Sequence, residues 1–272
     1  MTRHLRKMPL TALFGFAVIF TYACVAIFAP LIAPYPETAI VGPEYMPWSD
    51  EFLLGTDSLG RDMLSRLIYA ARNTLGIAIA TTLIAFILGC SAALFAATMQ
   101  GWVDQVISRI VDVMMSIPTL ITSLLLLTIF GTSVLNLILI IALLYSTVVF
   151  RIARAVAMGI VVMDYVEAAR IRGEGMFWIM FREVLPNAAT PLVAEFGLRF
   201  TFVFLTVSAL SFLGLGVQPP LADWGAMVRE NASLITFGDL TPLLPAGAIA
   251  LLTLAVNFIV DWMLHVASGL KD

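Results

Sequence analysis

Five stretches of this chain carry no charged residue at all: 8–36, 73–103, 113–150, 200–222 and 240–260. A helix needs roughly 20 apolar residues to cross the ~30 Å hydrocarbon layer of a bilayer, so each stretch is long enough to span one. Stretch 113–150 is too long for a single crossing, and the turn signal Gly131-Thr132-Ser133 near its middle divides it into two helices. The fifth helix starts before residue 200, because Asn187 to Ala194 is already apolar and Pro186 suits a helix start. Six spans result, at 10–33, 74–99, 112–130, 133–158, 188–214 and 242–264. Strand-like alternation is absent and the runs are two to four times the ~10 residues of a transmembrane strand. The expected fold class is therefore an all-α integral membrane protein with six transmembrane helices.

Composition closes the other routes. The 272 residues are 61% hydrophobic and only 12% charged, against about 25% charged in a soluble domain. That leaves too little polar surface to coat a globule, which excludes a soluble enzyme, a disordered chain and a disulfide scaffold. A net charge of −3 removes any general case for nucleic-acid binding. Cys24 and Cys90 both lie inside apolar runs, where they read as lipid- or core-facing fillers. The first run follows Arg3, Arg6 and Lys7, but it exceeds the 7–15 residues of a secretory signal core and lacks a clear cleavage site. An uncleaved anchor is expected.

Basic residues orient the spans. With the N-terminus inside, the inner segments carry ten: Arg3, Arg6, Lys7, Arg109, Arg151, Arg154, Arg170, Arg172, Arg182 and Lys271. The outer segments carry four, Arg61, Arg66, Arg72 and Arg229. Both termini are therefore expected in the cytoplasm. The chain divides into residues 1–72, comprising the N-terminal segment, first span and outer loop, and 73–272, a core of five helices.

In the outer loop, Pro34, Pro36, Pro43 and Pro47 argue against one continuous helix, while Gly60 to Asn73 has an apolar stripe suited to a helix lying on the outer membrane face. Gly214 and Gly216 are expected to end the fifth span. Beyond them, Asp223 and Trp224 would present an exposed aromatic for a docking protein, with membrane-interface Trp as the commoner alternative. Glu195 and Arg199, four apart on the fifth span, share a helix face. Intramembrane charges must be paired or wetted, so the pair is either a polar lining of a translocation path or a structural contact.

The segment between the fourth and fifth spans is the most informative. It reads Met163-Asp164-Tyr165-Val166-Glu167-Ala168-Ala169-Arg170-Ile171-Arg172-Gly173, continuing to Leu185-Pro186. Asp164 and Glu167 have the spacing of a capping box, which predicts a short helix beginning at Tyr165. Gly173 can adopt the left-handed conformation that ends it, and Leu185-Pro186 would turn the chain back into the membrane. Ala168 and Ala169 leave a small, smooth surface that another protein can approach closely. An ordinary solvated loop fits these residues equally well.

Glu167-Ala168-Ala169, Gly173 and Leu185-Pro186 fall at the positions of the EAA signature, and on them the chain resembles the inner-membrane permease subunits of bacterial ABC importers. Glu183 and Asn187 flank the proline as in the peptide and nickel branch, and further segments are similar to its C-type permeases. These are Leu54-Gly55-Thr56-Asp57-Ser58-Leu59-Gly60-Arg61-Asp62, Ser116-Ile117-Pro118-Thr119-Leu120, and Ser211 to Pro220 followed by Trp224-Gly225. The tail from Trp262 to Asp272 departs from that branch.

The resemblance implies a subunit that pairs with a second, homologous permease, sits on two cytoplasmic ATPases and receives substrate from a periplasmic binding protein. It implies that Glu167, Ala168, Ala169, Gly173, Leu185 and Pro186 form the coupling loop to the ATPases. The chain contains no phosphate-binding Gly-x-x-x-x-Gly-Lys-Ser/Thr loop and no His-Glu-x-x-His or paired-cysteine metal site. No cofactor is expected in this chain, ATP and Mg²⁺ are expected in the partner ATPases, and no catalysis is expected here. A secondary transporter is the rival reading, but it would usually show an inverted repeat and interrupted helices. The substrate, whether dipeptide, oligopeptide, nickel, glutathione, opine or sugar, is not legible in the chain.

Overall fold

The structure is a computed structural model that describes residues 8–268. Arg3, His4, Arg6, Lys7 and Lys271 lie outside the described residues. The elements are α1 (Leu10–Ile32), α2 (Met63–Met99), α3 (Gly101–Met115), α4 (Thr119–Phe130), α5 (Val134–Ile160), α6 (Asp164–Ile171), α7 (Met176–Phe212), α8 (Trp224–Asn231) and α9 (Leu243–Ser268). Five of them, α1, α2, α5, α7 and α9, are individually long and apolar enough to cross a membrane, and the bent pair α3 and α4 makes a sixth.

Helices α2 and α5 make the most extensive contact in the bundle, with α7 packed on both and α1 against α2 and α9. Gly89 explains the closeness of α2 to α5: a β-carbon there would sit 2.6 Å from the Ser146 carbonyl oxygen. The turn between α4 and α5 forms as its residues predict. Gly131 takes φ +89°, Ser133 accepts from the Asn136 amide at 3.2 Å, and the Asn136 side chain returns to the Phe130 and Gly131 carbonyls.

Three expectations are corrected. The third span, expected as one helix over 112–130, is broken at Ser116-Ile117-Pro118, where α3 and α4 meet at 83°. Pro118 has no N–H to donate and pushes Ile117 out of the helical region, so the helix cannot run through. The helix expected to lie on the membrane face over Gly60 to Asn73 is instead the first part of α2, which runs unbroken through the division expected at 72/73. Met63, Ala70 and Ala71 are indeed one stripe, but they are buried inside the protein. The fifth span does not begin at Pro186. Helix α7 starts ten residues earlier, and a π-helical turn over Ile179–Val184 carries it past the proline. The Leu185 amide bonds the Met180 carbonyl in the wider register, one residue ahead of Pro186. A turn of that register absorbs the bond that proline cannot make.

The bundle therefore has two ends. One carries the loops 33–62 and 213–242 with α8, and the other carries α6 and the start of α7.

Candidate functional site

At the α6 end, the short helix forms where the sequence places it, one residue earlier than expected. Asp164 is its first residue, and the Val166 and Glu167 amides bond the Met163 carbonyl at 2.9 and 3.2 Å. The capping box is absent, because the cap is Met163 and no side chain bonds the orphan amides. The acids still serve, since Asp164 and Glu167 in the first turn and Arg170 in the last complement the helix dipole.

The other end of α6 closes as its glycine predicts. Gly173 has φ +81°, its amide bonds the Arg170 carbonyl at 3.0 Å, and the Glu174 amide bonds the Ala169 carbonyl at 3.1 Å. This pair of bonds is the Schellman motif, which requires a left-handed residue at this position. A β-carbon on Gly173 would meet nothing within 4 Å, so the glycine is needed for its backbone conformation and not for space.

Helix α6 buries one face and offers the other. Val166 and Ala169 are fully buried against Leu94, Ala157, Val161, Ile179 and Val184, from α2, α5 and α7. Glu167, Ala168 and Arg170 are exposed. The smooth surface expected from two alanines thus comes from Ala168 alone, and Ala169 is the close-packing contact that seats the helix. Leu185 is half-buried against the same cluster, while Pro186 is exposed.

Around α6 stands a rim of apolar side chains that the reading of motifs missed. Val162, Ile171, Phe177 and Phe181 are exposed, Ile171 at 81%. Arg172 lies 5.9 Å from the Trp178 ring centre and 3.9 Å from both Glu174 and Glu183, which organises the charged part of the same surface. The available signal was large apolar residues placed between charges, outside any span. Apolar exposure rimmed by charge marks a surface that meets another protein or the membrane.

The α8 end is built differently. Asp57 is fully buried, accepts from the amides of Leu59 and Arg61 at 2.8 and 3.0 Å, and is paired with Arg61 Nε at 2.7 Å and Arg66 Nη1 at 2.5 Å. Arg66 also reaches Glu230 of α8 at 2.9 Å. Burial raises the Asp57 carboxyl, but the two amides and the two arginines outweigh it, and its pKa lies below the ordinary carboxylate value. The glycines of this segment are required by close approach. A β-carbon on Gly60, at φ +73°, would stand 2.0 Å from the Gly42 carbonyl oxygen. Asp62 then caps α2, accepting from the Ser65 amide and hydroxyl at 2.8 and 2.6 Å.

Asp223 and Trp224 belong to this clamp and do not form the exposed contact expected of them. Asp223 is 0% exposed; it caps α8 through the Ala226 amide at 3.0 Å and accepts from the Thr74 hydroxyl at 2.8 Å. Burial drives its pKa above the ordinary carboxylate value, against the opposing effect of these bonds. Trp224 is 2% exposed, packs on Tyr22 and Phe204, and donates its indole N–H to the Leu67 carbonyl at 3.1 Å. A Trp in a polar loop looks like an interface anchor until the N–H acceptor, 157 residues away, is known. Gly214 ends α7 at φ +88° through a second Schellman motif, with the Leu215 amide on the Leu210 carbonyl at 2.9 Å.

Inside the bundle, Glu195 and Arg199 do meet, with Oε1 2.5 Å from Nε. The approach is an ion contact without hydrogen-bond alignment, and the Arg199 guanidinium lies 4.9 Å from the Phe202 ring centre. Both side chains are largely buried.

Comparison with known proteins agrees with this geometry. Residues 85–268 match the family described as binding-protein-dependent transport system inner membrane component. The chain is 35% identical to the di/tripeptide transport system permease protein DppC of Pseudomonas aeruginosa over 96% of its own length and 86% of that protein's. It is 35% identical to the dipeptide transport system permease protein DppC of Escherichia coli K12, covering 99% and 90%. The glutathione transport system permease protein GsiD of Pectobacterium atrosepticum is 33% identical, covering 85% and 73%. A crystal structure of an amino acid ABC transporter superposes with a TM-score of 0.55 at 22% identity, over 73% of this chain and 92% of that one, which establishes a shared fold. With its multi-pass helical bundle, this chain belongs to the family of inner-membrane permease components of binding-protein-dependent ABC transport systems.

Proposed function

We propose that the chain is one permease subunit of an ATP-driven importer for peptides or a related small solute, pairing with a second, homologous permease to complete the translocation path. The names of the relatives support the solute class, since they are permeases for dipeptides, di/tripeptides and glutathione. Two ABC ATPases dock at the α6 end, which faces the cytoplasm with both termini. A periplasmic binding protein delivers solute at the α8 end. The ten-to-four distribution of basic residues supports that orientation. ATP and Mg²⁺ act in the ATPases, and this subunit catalyses nothing itself.

The observation that carries the proposal is α6, a short helix with one face locked into the bundle and the other offered with an apolar rim. Glu167 and Ala168 enter a groove of the ATPase, while Val166 and Ala169 fix α6 to the ends of α2, α5 and α7. When ATP draws the ATPases together, α6 moves as a rigid knob and tilts those helices. The bundle is then a two-state element that ATP and the loaded binding protein each bias by preferring one state. Gly173 and Leu185-Pro186 hold the knob in register. Glu195 and Arg199 supply a polar part of the path that opens as α7 tilts.

Gly173 tests this directly. Gly173→Val places a β-branched residue at φ +81°, where it is strongly disfavoured, while Gly173→Asn is tolerated. In proteoliposomes containing both permeases and both ATPases, the valine variant should assemble at wild-type abundance and lose at least tenfold in ATP-dependent uptake, with the asparagine variant retaining most of it. Uptake unaffected by Gly173→Val, or uptake by the permeases without ATPases, would contradict the coupling role and favour a secondary transporter.

A further inference from the structure

Between α1, α2, α7 and α9 runs a crevice of about 740 Å³, lined by Ile19, Gly76, Phe196, Phe200, Leu252 and Met263 among other apolar side chains. Its lining residues on α9 extend from Leu252 to Met263, a length of about 16 Å along the helix. One charged residue lines it: Arg72 of α2. Among the lining residues of α2, Arg72 stands nearest the α8 end, and the uncharged stretch 73–103 begins immediately after it. Arg72 is exposed and has no hydrogen bond or ion pair among the described residues. Glu195 and Arg199 are not among the lining residues; they occupy the other side of α7 from Val193, Phe196, Gly197 and Phe200.

We infer that this crevice holds an anionic phospholipid, with an acyl chain along the apolar walls and the phosphate at Arg72. The chemistry selects this occupant. A cation at the boundary between charged sequence and an uncharged stretch stands at the level of lipid phosphates, where each basic side chain adds attraction for anionic lipid. The walls below it offer almost no polar partner, so a peptide backbone placed there would leave its amides and carbonyls unsatisfied, whereas an acyl chain loses nothing. The crevice is also bounded by α1, which packs on α2 and α9 and so closes one side of it. The lipid thereby joins α1 to the rest of the bundle. The inference concerns α1, α2, α7 and α9 and does not depend on the solute transported.

Gly76 provides a separate handle on the tail. A β-carbon there meets nothing within 4 Å, so Gly76→Leu directs a side chain into the crevice from an unobstructed position. The intact complex of both permeases and both ATPases is delipidated in detergent and titrated with phosphatidylglycerol or phosphatidylethanolamine of identical chains, and bound lipid is counted by native mass spectrometry. Wild type should retain phosphatidylglycerol in preference. Arg72→Gln should cut that preference about fivefold, and Arg72→Lys should keep most of it. Gly76→Leu should reduce retention of both lipids. Glycerol phosphate, a headgroup without a tail, should not compete. Equal retention of the two lipids by wild type, undiminished binding in Gly76→Leu, or competition by glycerol phosphate would overturn the assignment. So would loss of the second permease from Arg72→Gln with lipid binding unchanged, since Arg72 would then be a subunit contact.

Discussion

The two ends of the bundle solve opposite problems. At the α8 end, Asp57, Arg61, Arg66 and Glu230 form one ion cluster, while Asp223 and Trp224 bond Thr74 and Leu67 of α2, and together these contacts hold the loops 33–62 and 213–242 against that helix. At the α6 end, Glu167, Arg170 and Arg172 are exposed, the ion contacts of Arg172 are long at 3.9 Å, and Ile171, Phe177 and Phe181 stand uncovered. The loops at the α8 end are anchored by buried ion pairs and hydrogen bonds, whereas α6 is anchored by apolar packing and keeps its charges on the surface. The difference teaches that motifs of equal prominence in the sequence sit in unequal surroundings: the Leu54 to Asp62 segment is tied in by buried ion pairs, and the Glu167 to Gly173 segment keeps an exposed face.

The comparison breaks most visibly at Asp57. Asp57→Ala leaves Arg66, which is fully buried, with only Glu230 to compensate it. Removing one partner of a buried pair costs about 3–5 kcal/mol, so the variant should fail to accumulate in membranes. Glu167→Ala, on the exposed face of α6, should accumulate normally and lose transport. Normal abundance of Asp57→Ala would show that the clamp is dispensable.

A smaller effect is expected at the ion contact between the two ends. Glu195→Gln or Arg199→Gln alone should leave assembly with the ATPases intact and lower uptake, with no recovery in the double variant, if the pair lines the path. Reduced copurification in each single variant, restored in the double, would make it a structural pair instead.

The smallest effect is a pH response at the α8 end. Asp223 has a raised pKa, so its ionised form costs stability that is relieved as pH falls through that raised value. Asp57 has a lowered pKa, so its contribution is complete above the ordinary carboxylate value and is lost as pH falls through the depressed one. Thermal stability should therefore rise slightly on mild acidification and fall on stronger acidification. Asp223→Asn should abolish the rise and keep the fall; a rise that persists in that variant would place its origin elsewhere.

The spans were legible because burial in lipid leaves a mark on every residue. The uncharged runs place α1 at 10–33 and α5 at 133–158, within two residues of Leu10–Ile32 and Val134–Ile160. Gly131, Gly173 and Gly214 were legible because positive φ is a local demand, found at all three. The start of α2 was hidden because the charges of Arg61 and Arg66 suggest solvent, and the groups that neutralise them include Glu230, 164 residues from Arg66. Trp224 was misread for the same reason, and Ala169 could not be told from Ala168 without knowing which side of α6 meets the bundle. The break at Pro118 has a local cause, a proline within an uncharged run, but the run's length and lack of charge mark it equally as one continuous span.

The claim that α6 is the ATPase-facing element meets its most direct test in photo-cross-linking of the assembled complex. A photoactivatable residue at exposed Ala168 should form an adduct with an ATPase subunit, in a yield that changes between nucleotide-free and ATP-bound states. The same residue at Ser233, exposed at the α8 end, should form none. An ATPase adduct from Ser233, or its absence from Ala168, would contradict both the coupling role of α6 and the orientation of the chain.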